Sequence, residues 1–322
     1  DRNTIYHAGN VVFRTRDGGN SWDVVSPDLT KNEKDKQGPG GRPYTNEAAG
    51  GENYNTLMSL VESQHEEGVL YSGSDDGLVH ITKDGGQNWN NITPKGLADG
   101  IINSIEVSPH NPASAYIVVM RYKTMDLKPH IYKTNNYGQT WTKISNGFSD
   151  PHTFVRVVRA DKKIKGLLYA GTETGLYISL DDGANWQPFQ LNLPVVPIND
   201  LYIQDNDLVA ATAGRSFWIL DDLGAIQNIS TEKTQVQIFK PKDTYRIFGG
   251  STSNFIPGVG QNPKMGVTFD YFVGKKVYSL ELKLEVLEGS KVNRTYSSKK
   301  PKGFKSWPGG PSAPQILPAK KG

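Results

Sequence analysis

A short pattern that recurs four times constrains the fold of this chain more than any other feature of its sequence. Each copy has Ser or Thr at its first position, Asp or Asn at its third, Gly at its fifth and Trp at its eighth. The copies occupy residues 15–22, 82–89, 134–141 and 179–186, and the steps between them are 67, 52 and 45 residues. A weaker fifth copy, without the Trp, follows at residues 221–224. Repeats of about 40 to 50 residues that are rich in short apolar runs are typical of the blades of a β-propeller.

The residues around each copy predict a unit of four β-strands joined by tight turns. In the fourth unit, apolar runs at residues 154–159, 167–170 and 176–179 have the length and residue types of strands a, b and c, and strand d starts near Trp186. The pattern lies between strands c and d, where its hydroxyl and carboxylate groups accept hydrogen bonds from the turn and its Gly adopts a conformation that larger residues disfavour. The sequence therefore predicts an all-β fold with about five four-stranded blades.

These residues resemble the BNR or Asp-box repeat, which occurs in sialidases, in xyloglucan-cleaving propellers and in sortilin-type receptors. The likeness is closer to large secreted bacterial propellers of the sortilin-like group, which are often labelled glycosyl hydrolases because they contain this repeat. The matching stretches are residues 26–30, 71–80, 168–175 and 215–222. The resemblance extends over about residues 5–245 and implies a propeller followed by a β-sandwich. At one position the chain departs from such relatives, which commonly have His where this chain has Ala213.

The end of the repeat divides the chain into two expected regions. Residues 1–245 are predicted to form the blades, and residues 246–322 to contain a linker, strands of a partial β-sandwich and a tail rich in Pro, Gly and Lys. Because the first blade begins at its strand b, we expect these blades to be the later part of a larger ring. Further N-terminal blades or a partner chain would then cover the open side.

Blade topology separates the loops into two sets that lie at opposite ends of each blade. The a–b and c–d turns share one end, away from the mouth of the propeller channel. Repetition of the pattern in every blade favours a structural role in turn hydrogen bonds and packing over contact with a ligand. The residues expected to be structural in this way are Asp17, Trp22, Asp84, Trp89, Asn136, Trp141, Asp181 and Trp186.

The b–c loops and the d–a connections meet at the mouth of the channel. A concave place with convergent polar groups is the usual position of a ligand site. The charges there are balanced, which favours a zwitterionic peptide or a neutral glycan over a polyanion. The residues expected to bind a ligand are Glu52, Tyr54, Asp75, Asp76, Arg121, Tyr122, Arg156, Glu173 and Arg215.

Three functions fit this arrangement. The first is binding of a peptide, protein or glycan through the mouth. The second is hydrolysis of an extracellular polysaccharide, which needs two carboxyl groups about 5 Å apart for retention or about 6.5 to 9.5 Å apart for inversion. The candidate carboxyl groups for hydrolysis are Glu52, Asp75, Asp76 and Glu173. The third is an architectural role in an assembly of the cell envelope.

Composition excludes several other classes of site. The chain has no Cys, which excludes disulfides and thiolate metal sites, and its six His residues have no ligand spacing. No cofactor and no metal are therefore expected. The net charge is only +3 and the basic residues are dispersed, so nucleic acid is not an expected partner.

No apolar run approaches 18 residues, which argues against a membrane span. The resemblance implies a secreted, periplasmic or cell-surface location.

Overall fold

The structure is a computed structural model that describes residues 4–37, 54–150, 152–229, 236–245, 266–274, 280–299 and 316–318. It confirms the all-β fold class. Within these ranges the helical elements are the 3-10 turns Lys34–Lys36 and Tyr122–Thr124 and one short helix, α1 (Gly224–Gln227). The strands that build the repeated sheets are β1 (Ile5–Ala8), β2 (Val12–Thr15), β3 (Asp23–Val24), β4 (Leu57–Glu62), β5 (Leu70–Ser74), β6 (Val79–Thr82), β7 (Asn90–Asn91), β8 (Ile101–Val107), β9 (Ala115–Met120), β10 (Ile131–Thr134), β11 (Thr142–Lys143), β12 (Val155–Ala160), β13 (Leu168–Thr172), β14 (Leu176–Ser179), β15 (Gln187–Pro188), β16 (Ile198–Gln204), β17 (Asp207–Thr212) and β18 (Phe217–Leu220).

The strands form five consecutive antiparallel sheets, each the blade of a β-propeller. Blade 1 contains β1–β3, blade 2 contains β4–β7, blade 3 contains β8–β11, blade 4 contains β12–β15 and blade 5 contains β16–β18. In every blade each strand pairs with the next one along the chain. The three middle blades have the predicted four strands. Blades 1 and 5 have three each within the described residues, strands b to d in blade 1 and strands a to c in blade 5.

The strands of blade 4 agree closely with the sequence-based prediction. Strands a, b and c lie at Val155–Ala160, Leu168–Thr172 and Leu176–Ser179, and strand d begins one residue after Trp186. A feature that the sequence did not reveal is a register shift near the start of strand a, which recurs in blades 2, 3, 4 and 5. Such bulges bend and twist a strand.

The repeated pattern forms the same hydrogen-bonded turn, called here the repeat turn, in blades 1 to 4. In blade 2, the Thr82 hydroxyl donates to Asp84 Oδ1 (2.8 Å) and accepts from the Gly86 N–H (3.0 Å). Asp84 Oδ1 also accepts the N–H of Asn88 (2.9 Å), whose side chain binds Oδ2. These bonds, with those to Asn88 the strongest, lower the pKa of Asp84 to about 2. The other three turns, at residues 15–21, 134–140 and 179–185, have the same bonds to the hydroxyl and to the Oδ1 atom. In blade 3 the side-chain bond is reversed, because the Asn136 amide donates to the Thr140 hydroxyl (2.9 Å).

In blades 2, 3 and 4, the Trp of the repeat turn donates a hydrogen bond to the preceding blade, a role that the sequence did not reveal. The indole N–H groups of Trp89, Trp141 and Trp186 donate to the carbonyl oxygens of Val25 (2.9 Å), Ile92 (2.6 Å) and Ile144 (2.7 Å), respectively. The acceptors stand at the end of strand d of the blade before. Each Trp therefore links two blades.

The residue after each of these acceptors bonds the end of strand d to the start of strand c in the same blade. The hydroxyls of Ser26, Thr93 and Ser145 accept the first N–H of strand c at 2.7–3.0 Å, in blades 1, 2 and 3. The full repeat is therefore longer than the octapeptide. In the first three copies it also includes a β-branched residue and a Ser or Thr three and four positions after the Trp, whereas the fourth copy has Phe189 and Gln190 there.

Hydrophobic clusters between neighbouring blades form the core. Tyr116, Val118 and Ile131 of blade 3 pack against a surface of blade 4 that includes Tyr177 and Trp186. Burial of such side chains contributes about 1.5–3 kcal/mol each. The core of the blade series thus lies at the junctions between its sheets.

The chain divides into two compact units, residues 1–221 and 222–322. In the second unit β19 (Val236–Ile238) pairs with β20 (Tyr271–Val273), and β21 (Lys283–Glu288) pairs with β22 (Lys291–Ser297). β20, β21 and β22 lie within residues 246–322, where the sequence predicts strands of a partial β-sandwich. The sandwich itself and the domain boundary at residue 245 stay predictions.

Candidate functional site

The b–c loops of blades 2 to 5 lie at the end of each blade opposite the repeat turns, because successive strands run in opposite directions. Asp75 and Asp76 follow β5, Arg121 and Tyr122 follow β9, Glu173 follows β13 and Arg215 follows β17. Together with residues 54–56 and 153–156 before and at the start of strand a, these loops are called here the loop face. Glu52 lies outside the described residues.

Asp76 is a buried structural carboxylate. It has no exposed surface. Its Oδ2 atom accepts hydrogen bonds from the Lys31 N–H (2.7 Å) and the Asn55 side-chain amide (2.6 Å), and Oδ1 accepts one from the Ser74 hydroxyl. The carboxylate therefore joins the b–c loop of blade 2 to the segments that contain Lys31 and Asn55. Since solvent does not reach it, Asp76 can affect a ligand only by positioning these segments.

Asp75 is the titratable group of the loop face. Its Oδ1 atom accepts the Thr56 N–H (2.9 Å), and its own N–H donates to the Thr56 carbonyl. Burial raises the pKa of this carboxyl to about 6; the Asp76 charge adds to the rise, whereas backbone hydrogen bonds and Lys123 oppose it. Asp75 can therefore exchange a proton close to neutral pH.

Tyr122, Phe154, Arg156 and Glu173 form a contiguous group called here the aromatic tier. The rings of Tyr122 and Phe154 stack with centroids 5.3 Å apart and planes 19° apart. The Arg156 guanidinium lies 5.2 Å from the centre of the Phe154 ring. Its Nε and Nη2 atoms both donate to Glu173 Oε2, at 2.7 Å and 2.6 Å. Loops of blade 3 and blade 4 are thus joined by one aromatic and ionic array.

The aromatic tier has an accessible apolar edge. Tyr122 is 37% exposed, while Phe154 beneath it is 7% exposed. The neighbouring Met125 is 85% exposed. The sequence predicted Tyr122, Arg156 and Glu173 but missed Phe154. A signal was present, because Phe154 stands directly before strand a and two residues from Arg156.

Arg121 fixes the loop on which Tyr122 stands. Its guanidinium pairs with the Asp126 carboxylate, and its Nε atom donates to the Asp99 carbonyl (3.0 Å). The His130 ring also contacts Asp126, with Nε2 3.0 Å from Oδ2. Arg121 is half-buried, and both of these contacts hold it within the loops.

Two other predicted residues differ in exposure. Tyr54 is 7% exposed. Arg215 is exposed in the b–c loop of blade 5, where its Nη1 atom lies 3.4 Å from the Gly214 carbonyl and its own carbonyl accepts the Trp218 indole N–H (3.0 Å). The structure therefore brings Tyr122, Arg156 and Glu173 together and places Arg215 on another blade. Direct contact of any of these residues with a ligand stays a prediction.

The described residues contain no group of three or more His, Cys, Asp or Glu side chains able to hold a metal ion. Within the same ranges, no helix has the length and hydropathy needed to cross a membrane. The repeat-turn carboxylates and Asn136 bind their own turns, as described above; absence of ligand contact at these positions stays a prediction.

Comparison with known proteins finds no matching protein-family model and no matching curated protein. Among solved structures, a GH74 xyloglucanase from Xanthomonas campestris is 14% identical with a TM-score of 0.48, covering 68% of this chain and 34% of its own. The extracellular domain of the one-component system BT4673 from B. thetaiotaomicron is 13% identical with a TM-score of 0.45, covering 67% of this chain and 26% of its own.

A YCF48 structure with a bound D1 peptide is 20% identical with a TM-score of 0.39, and the match covers 51% of each chain. This chain therefore spans about a third of the length of the xyloglucanase and about half of the length of the YCF48 structure. The sortilin-like assignment stays a prediction.

Proposed function

We propose that this protein is a binding module that recognises a peptide, protein or glycan through its loop face. The observation that supports the proposal is the aromatic tier. It combines an accessible ring, Tyr122, with a cation and a carboxylate, Arg156 and Glu173, within one array. Aromatic rings with a polar rim suit both sugar faces and peptide side chains.

The tier is preorganised, which favours binding. Arg156 makes two hydrogen bonds to Glu173 and contacts Phe154, so its position is restrained before a ligand arrives. Restrained side chains lose less conformational entropy on binding than free ones. Both members of the ion pair are partly exposed, with 26% and 35% of their side-chain surfaces accessible. They can therefore offer further donors and acceptors to a ligand.

Arrays of immobilised oligosaccharides and of peptides test the proposal and separate the two ligand classes. We expect the wild-type protein to bind one class, and Tyr122→Ala to weaken that binding about tenfold, since an aromatic contact contributes about 0.5–1.5 kcal/mol beyond its buried area. Glu173→Gln should also weaken binding, because it leaves the Arg156 charge without its partner.

Tyr137→Ala is the matched control. Tyr137 also contacts a cation, Lys83, with Nζ 3.4 Å from the ring centre, but it lies in a repeat turn at the other end of the blade. Its replacement should leave binding unchanged. Equal binding by wild type, Tyr122→Ala and Glu173→Gln would contradict the proposal.

A second candidate function is hydrolysis of an extracellular polysaccharide, and the observation that favours it is the raised pKa of Asp75. A carboxyl group with a pKa of about 6 can serve as a general acid near neutral pH. Glu173, held by Arg156, would be the second carboxyl group. Release of reducing sugar from a polysaccharide panel, abolished by both Asp75→Asn and Glu173→Gln, would support hydrolysis. Activity that survives both changes would exclude this pair.

We further propose that the protein acts in a secreted, periplasmic or cell-surface location, which would also suit a docking role in an envelope assembly. The sequence resemblance supports this location. Fractionation of the source cells with an antibody against the chain tests it. Signal confined to the cytoplasmic fraction would contradict it.

A further inference from the structure

Three titratable side chains of blade 3, Asp126, His130 and Lys143, form one hydrogen-bonded chain. The Nε2 atom of His130 lies 3.0 Å from Asp126 Oδ2, and its Nδ1 atom lies 3.1 Å from Lys143 Nζ. Asp126 and His130 belong to the loop between strands b and c, and Lys143 is the last residue of β11, the edge strand of this sheet. The order of the groups is therefore carboxylate, imidazole and amine.

The repeat itself does not require these side chains. Lys143 is the second residue of strand d, and the residues at this position in blades 1, 2 and 4 are Val24, Asn91 and Pro188. His130 directly precedes strand c, and the residues at this position in the same blades are Val11, Leu78 and Gly175. A structural role common to all blades would repeat along the chain. His130 and Lys143 thus indicate a role that is specific to blade 3.

The hydrogen-bond partners determine which nitrogen of His130 has the proton. Burial tends to raise the pKa of Asp126, but the Lys128 N–H and the His130 ring oppose it, and the pKa stays below its ordinary value. Asp126 is therefore ionised near neutral pH and can only accept hydrogen bonds. Burial also lowers the pKa of His130, so the ring is neutral. His130 must then donate from Nε2, and its Nδ1 lone pair accepts an N–H of Lys143.

The surroundings of the Lys143 amine favour its neutral, nucleophilic form. Burial lowers the pKa of this amine. The Asp126 charge opposes that effect, and the charges of Lys128 and Arg121 add to it. Tyr132 on β10 is the cross-strand neighbour of Lys143. Lysines act as nucleophiles when they are partly desolvated or lie near another cation, and part of this side chain remains exposed to an incoming ligand.

A cavity of about 440 Å³ opens beside the amine, a volume within the range of about 300–1,000 Å³ that is common for ligand sites. Its aromatic wall is the Phe148 ring, which is stacked with the Trp186 ring at a centroid distance of 5.5 Å. The Lys128 side chain supplies a cation that favours a ligand with an anionic group. The residues that line the cavity are Lys128, Pro129, Lys143, Ser145, Asn146 and Phe148.

We propose that Lys143 is a nucleophilic amine that forms an imine with an aldehyde bound in this cavity, and that the aldehyde has a carboxylate or phosphate group. The chain from Asp126 through His130 to the amine supplies the base, and Lys128 attracts the anionic group. Neither role is part of the ligand binding proposed for the loop face.

The reaction conserves all atoms and needs no oxidant or reductant. The lone pair of Lys143 Nζ forms a bond to the carbonyl carbon, and the electrons of the C=O double bond move to oxygen. His130 Nδ1 takes one proton from the nitrogen and delivers it to the oxygen, which gives a carbinolamine. A second proton that follows the same route converts the hydroxyl into water, and the water leaves as the C=N bond forms.

Reductive trapping with sodium cyanoborohydride, followed by peptide mass mapping of the whole chain, tests the proposal. The anionic probes are glyoxylate and pyridoxal 5′-phosphate, and the neutral probe is glycolaldehyde. At pH 7 we expect both anionic probes to label Lys143 at least about tenfold more than Lys95, an exposed lysine after β7, because a positioned base accelerates proton transfer. Relative to Lys95, glycolaldehyde should label Lys143 less than the anionic probes do.

His130→Leu is the matched variant, because blade 2 accommodates Leu78 at the same position. The change removes the Nδ1 lone pair without adding another polar group. We expect labelling of Lys143 to fall to the level of Lys95, while labelling of Lys95 itself stays as in wild type. A thermal unfolding transition confirms that the variant is folded.

A pH series on the wild-type protein gives a second readout that needs no variant. Labelling of Lys143 should persist to lower pH than labelling of Lys95, because its amine loses a proton more readily. The proposal would be overturned by equal labelling of the two lysines, by coincident pH profiles, or by full labelling of Lys143 in folded His130→Leu. Equal relative labelling by glycolaldehyde would overturn the preference for an anionic aldehyde. Each label is read at a lysine outside the aromatic tier, so these failures leave the proposed ligand binding untouched.

Discussion

Blade 4 and blade 1 contain the same octapeptide pattern, but the Trp of the pattern differs between them in exposure and in hydrogen bonding. Trp186 is 3% exposed and donates to a carbonyl of blade 3, whereas Trp22 is 44% exposed. The turns themselves are alike, because the hydrogen bonds among Thr15, Asp17 and Gly19 match those among Ser179, Asp181 and Gly183. The comparison separates two parts of the repeat: a turn that is stable locally and a Trp whose contribution depends on the neighbouring blade.

Truncation of the Trp should show the largest difference between the two blades. Trp186→Ala removes a buried ring and leaves the Ile144 carbonyl without its donor, so we expect a loss of about 3–5 kcal/mol in the free energy of unfolding. Trp22→Ala in the single chain should cost less than about 1 kcal/mol. Equilibrium unfolding in urea, under conditions where mass measurement shows one chain, checks both values. Equal losses would contradict the comparison.

A methyl group on the repeat-turn glycine is the second way to separate the blades. Gly86 and Gly19 have φ of +99° and +96°, so Ala should cost about 1–2 kcal/mol at either position. At Gly86 the new Cβ would also overlap the Val25 carbonyl oxygen and lie 3.0 Å from Val25 Cβ. We expect Gly86→Ala to cost about 2 kcal/mol more than Gly19→Ala in the same unfolding measurement. A difference near zero would show that the junction adapts.

The hydroxyl of the repeat turn should matter equally in both blades. Thr82→Val and Thr15→Val each remove a hydroxyl that donates to the turn carboxylate and accepts a glycine N–H. Because all these partners lie within the same turn, we expect a similar loss of about 1–3 kcal/mol for each variant. Unfolding curves of the two variants test this. A markedly smaller loss in blade 1 would show that the turn also depends on its neighbour.

The smallest expected effect belongs to the loop face and depends on pH. The Asp75 pKa is raised to about 6, so folding favours the protonated carboxyl, and its stabilising contribution is lost as the pH rises from about 4 to about 6. Asp75→Asn keeps an oxygen for the Thr56 N–H and removes the charge. We expect this variant to exceed wild type by about 1 kcal/mol at pH 7, a value reduced by solvent screening of the partly exposed group.

Thermal unfolding of Asp75→Asn and wild type over pH 4–8 measures the effect. The two stabilities should converge near pH 4, where both side chains are neutral. Glu173→Gln is the control, because it removes another carboxyl group of the loop face, one that is paired with Arg156. A gap that stays constant with pH would rule out titration of Asp75 as its cause.

Much of the fold could be predicted from the residues, and the candidate site only in part. The blade strands and the position of the repeat turn between strands c and d follow from apolar runs and turn residues that are close in sequence. Asp75 and Asp76 were predicted as equivalent neighbours, yet one is titratable and the other is fully buried by contacts to Lys31 and Asn55. The residues next to Asp75 and Asp76 in the sequence do not reveal contacts with residues as far away in the chain as Lys31 and Asn55.

The sequence by itself determined the side-chain hydrogen bonds that shape the repeat turn, since those made by Thr82 and Asp84 join residues no more than four positions apart. Only the tertiary structure decided what each Trp does, because the indole N–H of Trp89, Trp141 or Trp186 binds a carbonyl 64, 49 or 42 residues away. The aromatic tier likewise depends on Tyr122 and Phe154 meeting across two blades. Local bonds form wherever the pattern occurs, whereas burial and long-range bonds require a neighbouring blade, and this is why Trp22 and Trp186 differ.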